Sequence, residues 1–344
     1  MTNLHTLAPT VWSDDEFTEA LDGLGPTVLR TAVALGIPDL LVPGPLTAAD
    51  IAGQCGVQVE PLCMVLDYLA VRGVFAREGD RYASTSRSLR LLGRHPSGMA
   101  AWLNGTGPGA LIDEALVRLG DSVRTGEPSF RSLHGRDFYD VMEGGGEGGT
   151  FTGLRGELGQ HLGEALAHSG LFDDTRHVVD VGGGDGSLAC ALTSRHPGLE
   201  VVVLDRPAVV AAAAARMQCP RVTPVAGDFF EGVPVAGDTL VLSNVLHNWG
   251  DLAARRILRS CADALLTGAR VIVVEGPLDT VPARIATAMN LRMYVLCGGR
   301  ERTTVQYDAL LGHVGLARVD AVVLGGEHTA LVYRPTISPR AARW

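Results

Sequence analysis

The sequence predicts an α/β protein: a doubly wound, mostly parallel, Rossmann-like sheet preceded by an all-α and winged-helix domain. Three observations carry that prediction. From His177 onward, short apolar runs alternate with helical stretches. The first run leads into the glycine turn Gly182-Gly183-Gly184-Asp185-Gly186. Upstream, a helix–turn–helix pattern is followed by a two-stranded hairpin. Alternating strands and helices are the mark of a parallel sheet covered on both faces.

The chain has 344 residues, which suggests about two domains. The expected division is 1–100, a helical and winged-helix dimerisation domain; 101–168, connecting helices that contribute to a substrate pocket; and 169–344, the sheet domain. With 46% hydrophobic and 19% charged residues, disorder is excluded as the main state. There are 29 basic and 38 acidic side chains, a net charge of −9. That balance disfavours a nucleic-acid binder. The longest apolar run is Ala208–Ala215, eight residues, where a membrane-spanning helix needs about 20. The N-terminal stretch lacks the basic-then-apolar pattern of a secretory signal. The six cysteines contain no CxxC pair, which predicts neither a zinc site nor a disulfide framework, and a reducing cytoplasm.

In the first third, Leu29, Val33, Leu35, Ile37 and Leu40 are expected to share one helical stripe. Pro38 begins a new element. Thr47 with Asp50 reads as a helix N-cap. A helix over 59–72 turns Leu62, Val65, Leu66 and Leu69 inward, and 74–77 with 81–83 forms the wing. A winged helix commonly binds DNA through its second helix. Here that helix has no basic residue before Arg72, so the element reads as a packing and dimerisation unit. Glycine clusters at 105–109 and 144–149 break the helical pattern that follows; the second predicts a flexible loop, near an active site or simply a surface connector.

The segment 178–205 is a strand, a glycine turn, a helix, and a second strand ending in an acid. Gly182, Gly183, Gly184 and Gly186 let the backbone turn sharply and approach a ligand. Asp205 stands 23 residues after Gly182, where an acid accepts hydrogen bonds from ribose hydroxyls. A dinucleotide fingerprint would place its third glycine where Ser187 stands, and no basic residue is at hand for a pyrophosphate. An adenosine with an uncharged or cationic 5′ group fits better, and S-adenosylmethionine (SAM) is such a ligand. Asp228 and Phe229 follow the strand 222–226, where an acid and a ring can take the adenine. His247 follows the strand 239–243. Glu275 ends the strand 270–275, after a helix over 252–266, and Glu301 lies beyond a helix over 283–296. A histidine flanked by two carboxylates is suited to general-base work. No histidine pair has metal-ligand spacing, so no metal is expected.

These segments, VDVGGGDG (179–186), LDRPAVV (204–210), GDFFEGVP (227–234), VLHNWGD (245–251), VIVVEGPL (271–278), MNLRM (289–293) and GGRERT (298–303), resemble the caffeate-type, or plant-type, class I SAM-dependent O-methyltransferases and their bacterial natural-product relatives. The resemblance spans about residues 25–335. It implies a homodimer with swapped N-terminal helices, an aromatic or polyketide-like hydroxyl as acceptor, and a place in secondary metabolism such as antibiotic biosynthesis. By position it implies Gly182, Gly184, Asp205, Asp228, Phe229 and Ser243 as SAM contacts, and His247 as base with Glu275 and Glu301 beside it. Met293, Asn290 and Trp249 fall on the acceptor. Three departures stand out: Asn248 and Asn290 replace the usual aspartates, and Phe151–Arg155 replaces a methionine-rich cap. Arg155 and Arg292 are placed either toward an acidic acceptor or, the commoner case, toward solvent. The other classes left open are a SAM-binding fold that hydroxylates or cyclises, and a winged-helix regulator.

Overall fold

In a computed structural model, the described residues are 23–95, 98–105, 107–144 and 148–336, and the side chains of 143–155 and 157 fall outside that description. The chain divides into two compact units, Met1–Ala110 and Leu111–Trp344. The expected connecting segment 101–168 is therefore divided between them.

The first unit contains α1 (Leu24–Ala34), α2 (Ile37–Leu40), α3 (Ala48–Cys55) and α4 (Val59–Val71). Strands β1 (Leu46–Thr47), β2 (Phe75–Glu78) and β3 (Arg81–Ser84) form an antiparallel wing in the order β1-β3-β2. Thr47 and Asp50 form a reciprocal capping box at the start of α3. From α4, Leu62, Leu66 and Leu69 enter the core, and Val65 is half-buried. The predicted stripe in α1 is corrected. The helix stops at Ala34 because Gly36 turns left-handed, so Ile37 and Leu40 belong to α2. The inward positions of α1 are Val28 and Ala32, four residues apart.

The second unit is built on a seven-stranded sheet. Its strands are β4 (His177–Val181), β5 (Glu200–Asp205), β6 (Val222–Ala226), β7 (Gly237–Ser243), β8 (Leu265–Glu275), β9 (Leu316–Gly325) and β10 (His328–Pro335). Their order is β6-β5-β4-β7-β8-β10-β9. The first five are parallel, and β10 runs antiparallel to β8 and β9. The strand direction of travel reverses between β4 and β7, and ligands bind at the carboxyl ends there. Strand β8 begins earlier than expected, since α8 (Asp251–Asp263) stops at Asp263 and Leu265 pairs with Gly237.

Strand residues alternate between two cores. Val179, Val181, Leu240, Leu242, Val271 and Val273 pack with Ala254, Ile257 and Leu258 of α8. Val178, Val201, Val203, Val241 and Ile272 pack with Leu162 and Leu166 of α5 (Gly148–Ala167) and Leu188, Ala189 and Leu192 of α6 (Ser187–Arg195). Helix α7 (Pro207–Ala214) follows β5. Helices α9 (Ala283–Cys297) and α10 (Thr304–Gly312) complete the layer work.

The expectation of no disulfide framework meets one bond among the described residues. Cys190 and Cys219 form a disulfide, with Cα atoms 5.7 Å apart. They lie 29 residues apart in sequence, and the crossover from α6 through β5 to the start of β6 brings them together, which no spacing signal reveals. Among the described residues, Cys55, Cys63, Cys261 and Cys297 form no disulfide. The all-thiol argument for a reducing compartment thus loses its basis. No helix among the described residues is long and apolar enough to cross a membrane.

The predicted flexible loop at 144–149 is narrowed: Phe138–Gly144 and Gly148–Ala167 are both helical, and residues 145–147 lie outside the described set. The Phe151–Arg155 side chains, including Arg155, also lie outside it. Helix α5 approaches α6 closely through glycine. A Cβ at Gly163 would stand 2.7 Å from Ala191 Cβ and from the Leu188 carbonyl oxygen. Gly163→Val should therefore force α5 away from α6 and cost about 1–3 kcal/mol through overpacking. Thermal unfolding checks this; an unchanged melting temperature would show that the contact yields freely.

Candidate active site

A cavity of about 640 Å³ opens at the carboxyl ends of β4, β5, β6 and β7. Each of those strands hands one polar element to it, because a strand's side chains and following loop emerge together at its end. Strand β4 supplies Gly182 and Gly184, β5 Asp205, β6 Asp228 and Phe229, and β7 Ser243. All six sequence-predicted cofactor residues line this one cavity.

The glycine turn requires its glycines. Gly182, Gly184 and Gly186 have φ of 73°, 60° and 78°, a region closed to most side chains. A Cβ on Gly184 would meet nothing within 4 Å, so its open side is available to a ligand. Asp205 ties the turn to β5: Oδ2 accepts from Gly184 N–H at 2.8 Å, and Oδ1 accepts from Arg206 N–H at 2.7 Å. A carboxylate has about four acceptor positions, so both oxygens keep capacity for ribose hydroxyls. Asp228 Oδ1 accepts from Phe230 N–H at 2.8 Å, bending the chain after β6.

Asp180 was not singled out from the sequence, although an acid inside the apolar run VVDV is a visible signal. It lines the cavity, is fully buried, and neither carboxylate oxygen has a hydrogen-bond partner among the described residues. Burial, with the charges of Asp205 and Asp185 nearby, pushes its carboxyl up to about 7. Three acids around one glycine turn repel a pyrophosphate and suit a cationic ligand.

The second cluster lies at the ends of β7 and β8. Asn244 takes a left-handed φ of 53° just ahead of the 3₁₀ turn Leu246–Asn248, which Val245 caps; asparagine tolerates that conformation. His247 Nδ1 lies 2.8 Å from Glu301 Oε1 and 3.6 Å from Glu275 Oε2. Nδ1 facing the Glu301 carboxylate favours the tautomer protonated at Nδ1. Glu275 is fully buried, and its Oε1 accepts from the backbone N–H groups of Val245, Leu246 and His247 at 3.2, 2.9 and 3.3 Å. Burial raises the Glu275 carboxyl against the pull of His247 and those N–H groups, and Glu301 adds to the rise. One atom from each of His247, Glu275 and Glu301 falls within a 4.8 Å group, a spacing open to a cation. His247 Nδ1 and Glu301 Oε1 already serve one another, while Glu275 Oε2 and Glu301 Oε2 have no hydrogen-bond partner among the described residues.

The acceptor-side assignments fare less evenly. Trp249 lines the cavity, but its ring packs edge-on against Phe229 and Phe230, at 6.1 and 4.8 Å, on the side given to adenine. Asn290 does not line the cavity; its Oδ1 accepts from Glu301 N–H at 2.9 Å and so holds a member of the cluster. Met293 is half-buried and also off the cavity wall, because α9 presents Leu296 and Cys297 there instead. Arg292 is solvent-exposed. His247, Glu275 and Glu301 are not lining residues of this cavity, whereas Val245, Asn248 and Gly298, close to them in the chain, are. Asn248 donates from Nδ2 to Asn244 O at 3.0 Å. His328 was also missed; Nε2–H donates to Asn244 Oδ1 at 3.0 Å, and burial, then His247, holds its pKa below the ordinary value.

A parallel sheet with an acid-rich glycine turn beside a buried histidine–carboxylate cluster defines a SAM-dependent methyl-transfer enzyme. Comparison with known proteins carries this further. Residues 116–317 match the O-methyltransferase domain family, and residues 19–94 match the O-methyltransferase dimerisation domain. The 2,7-dihydroxy-5-methyl-1-naphthoate 7-O-methyltransferase of Streptomyces carzinostaticus is 33% identical over 302 residues, covering 85% of this chain and 89% of the relative. The aclacinomycin 10-hydroxylase RdmB of Streptomyces purpurascens is 34% identical over 328 residues, covering 90% and 86%. A solved structure of the O-methyltransferase NcsB1 from neocarzinostatin biosynthesis, in complex with SAM and 2-hydroxy-5-methyl naphthoic acid, superimposes with a TM-score of 0.82 at 32% identity, covering 92% and 98%. The chain belongs to the O-methyltransferase family, uses SAM as cofactor, and carries that family's dimerisation domain.

Asp180 gives the free enzyme a pH signature. The unfolded carboxyl loses its proton near 3.8 and the folded one near 7. Between those values the folded state binds a proton that the unfolded state has released. Stability therefore falls as pH rises from about 4 to about 7 and levels off above. Melting temperatures of the SAM-free protein should fall less steeply with rising pH across that range in Asp180→Asn; parallel curves for the two proteins would refute the assignment.

Proposed function

We propose that this enzyme methylates a hydroxyl of an aromatic, polyketide-like small molecule in secondary metabolism, with His247 as general base. The observation that carries the reading is the 2.8 Å contact of His247 Nδ1 with Glu301, beside a cavity lined by the glycine turn. Asp205 takes the ribose hydroxyls. Gly182 and Gly184 approach the cofactor by backbone, with Ser243 at its flank. Asp228 and Phe229 take the adenine, Trp249 backs that ring cluster, and Asp180 faces the cationic end. Met293 and Asn290 are not retained as direct acceptor contacts.

When bound, SAM supplies an electrophilic methyl group on a sulfonium. His247 Nε2 removes the acceptor's hydroxyl proton as the oxygen takes the methyl, and Glu301 stabilises the imidazolium so formed. The cavity aligns the two reactants, an effect worth at most about 7–11 kcal/mol, and the base adds roughly 10²–10⁴-fold. Dimerisation through residues 19–94 accords with the outer face of α4, where Met64 and Val71 are exposed. That face presents apolar and acidic groups, so nucleic acid is not proposed as a partner.

A second reading is kept because one relative, RdmB, is named a hydroxylase. The His247 cluster favours methyl transfer, since a poised base is what an undissociated hydroxyl needs.

Two measurements test these roles. His247→Ala should bind SAM with near-normal affinity but lose about 10²–10⁴-fold in kcat, with a smaller loss on an acidic phenol already ionised at assay pH. Full turnover on a weakly acidic alcohol would make His247 a structural residue. Asp205→Ala should weaken SAM at least tenfold by calorimetry, because a charged hydrogen bond is worth about 1.5–3 kcal/mol; unchanged affinity would remove the ribose assignment.

A further inference from the structure

We infer that Arg302 is a positioning residue for proton removal: it holds the turn that carries His247 in register with Glu301. The inference rests on the reading of His247 as base. Arg302 is only 1% exposed, an unusual place for a guanidinium, so its hydrogen bonds must all be met by protein. Nη1–H donates to Leu246 O at 2.9 Å, and Nη2–H donates to Trp249 O at 2.7 Å. These carbonyls bracket His247. Nε–H and Nη2–H also donate to Asp251 Oδ1, at 3.1 and 2.8 Å, at the first residue of α8. The fork thus spans the whole turn from its first residue to the start of the next helix.

The neighbours of Arg302 in sequence bind the same turn. Arg300 N–H donates to His247 O at 2.9 Å. Gly299 lies so close that a Cβ there would stand 2.1 Å from His247 O. Glu301, between them, meets the imidazole itself. Arg300 and Arg302 therefore hold the carbonyl side of one turn and Glu301 its imidazole, while Glu275 grips the N–H side. Only a planar fork with several donors can reach both carbonyls and the carboxylate together; a lysine ammonium offers three donors from one point. Since a misplacement of about 1 Å can cost 10²-fold, loosening this clamp should act on the chemical step and leave cofactor binding alone.

The test compares Arg302→Lys and Arg302→Ala with the intact enzyme, using 2,7-dihydroxy-5-methyl-1-naphthoate as probe acceptor. Both variants should bind SAM within threefold of normal by calorimetry, with KM near normal and kcat reduced ten- to hundredfold. Millimolar guanidinium chloride should restore part of the kcat of Arg302→Ala and nothing of Arg302→Lys. An acceptor-independent arm follows the His247 imidazole resonance by NMR, identified by its loss in His247→Ala; it should move in both variants with SAM bound. Normal kcat together with an unmoved resonance would overturn the proposal. So would loss of SAM binding in both variants, which would assign Arg302 to folding instead. If His247→Ala itself keeps full turnover, the base reading fails first, whatever Arg302 does.

Discussion

A single buried carboxylate, Glu275, organises the catalytic edge of this enzyme. It has no contact with water, and one of its oxygens accepts three consecutive backbone N–H groups, from Val245, Leu246 and His247. Buried N–H groups at the start of a turn must find partners, and no strand or helix supplies them here. Strand β8 delivers the acid to that point because its register against β7 sets Val274 beside Ser243, one residue before Glu275. The turn that carries His247 takes its shape from this contact.

The opposite side of the turn is closed by the 299–302 segment. Its Glu301 meets His247 and its Arg302 meets the flanking carbonyls. Glu301 is held in turn by Asn290 from α9. The bond comes from the Glu301 backbone N–H, so the usual aspartate could accept it too, but the amide does so without adding a negative charge beside Glu301. This gives Asn290 a physical role other than meeting the acceptor.

The cofactor end obeys a different constraint. Acids at 180, 185 and 205 crowd the glycine turn, and the cost appears as the raised Asp180 carboxyl. Asp205 offsets part of it by accepting from the Gly184 N–H of the turn and from the Arg206 N–H beside it. The remaining negative potential is what a sulfonium-bearing ligand with an ammonium group meets on entry. The two ends thus share one strategy: carboxylates are buried where donors or a cation will face them.

Much of this was decided by local sequence. The glycine turn, the acid ending β5, the alternating apolar strands and the capping box at Thr47 all depend on neighbours within a few residues, so their spacing alone predicted them. The family's site motifs were legible for the same reason, and His247, Glu275 and Glu301 do meet. What the sequence could not supply was contact across the sheet. The Cys190–Cys219 bond, the grip of Arg302 on Leu246 and Trp249, and the turning of Asn290 toward Glu301 join residues from 11 to 56 positions apart. Nor could the sequence tell which face of α9 would reach the cavity, where Leu296 and Cys297 stand. Those outcomes depend on strand register and helix rotation, which are properties of the packed chain and not of any one segment.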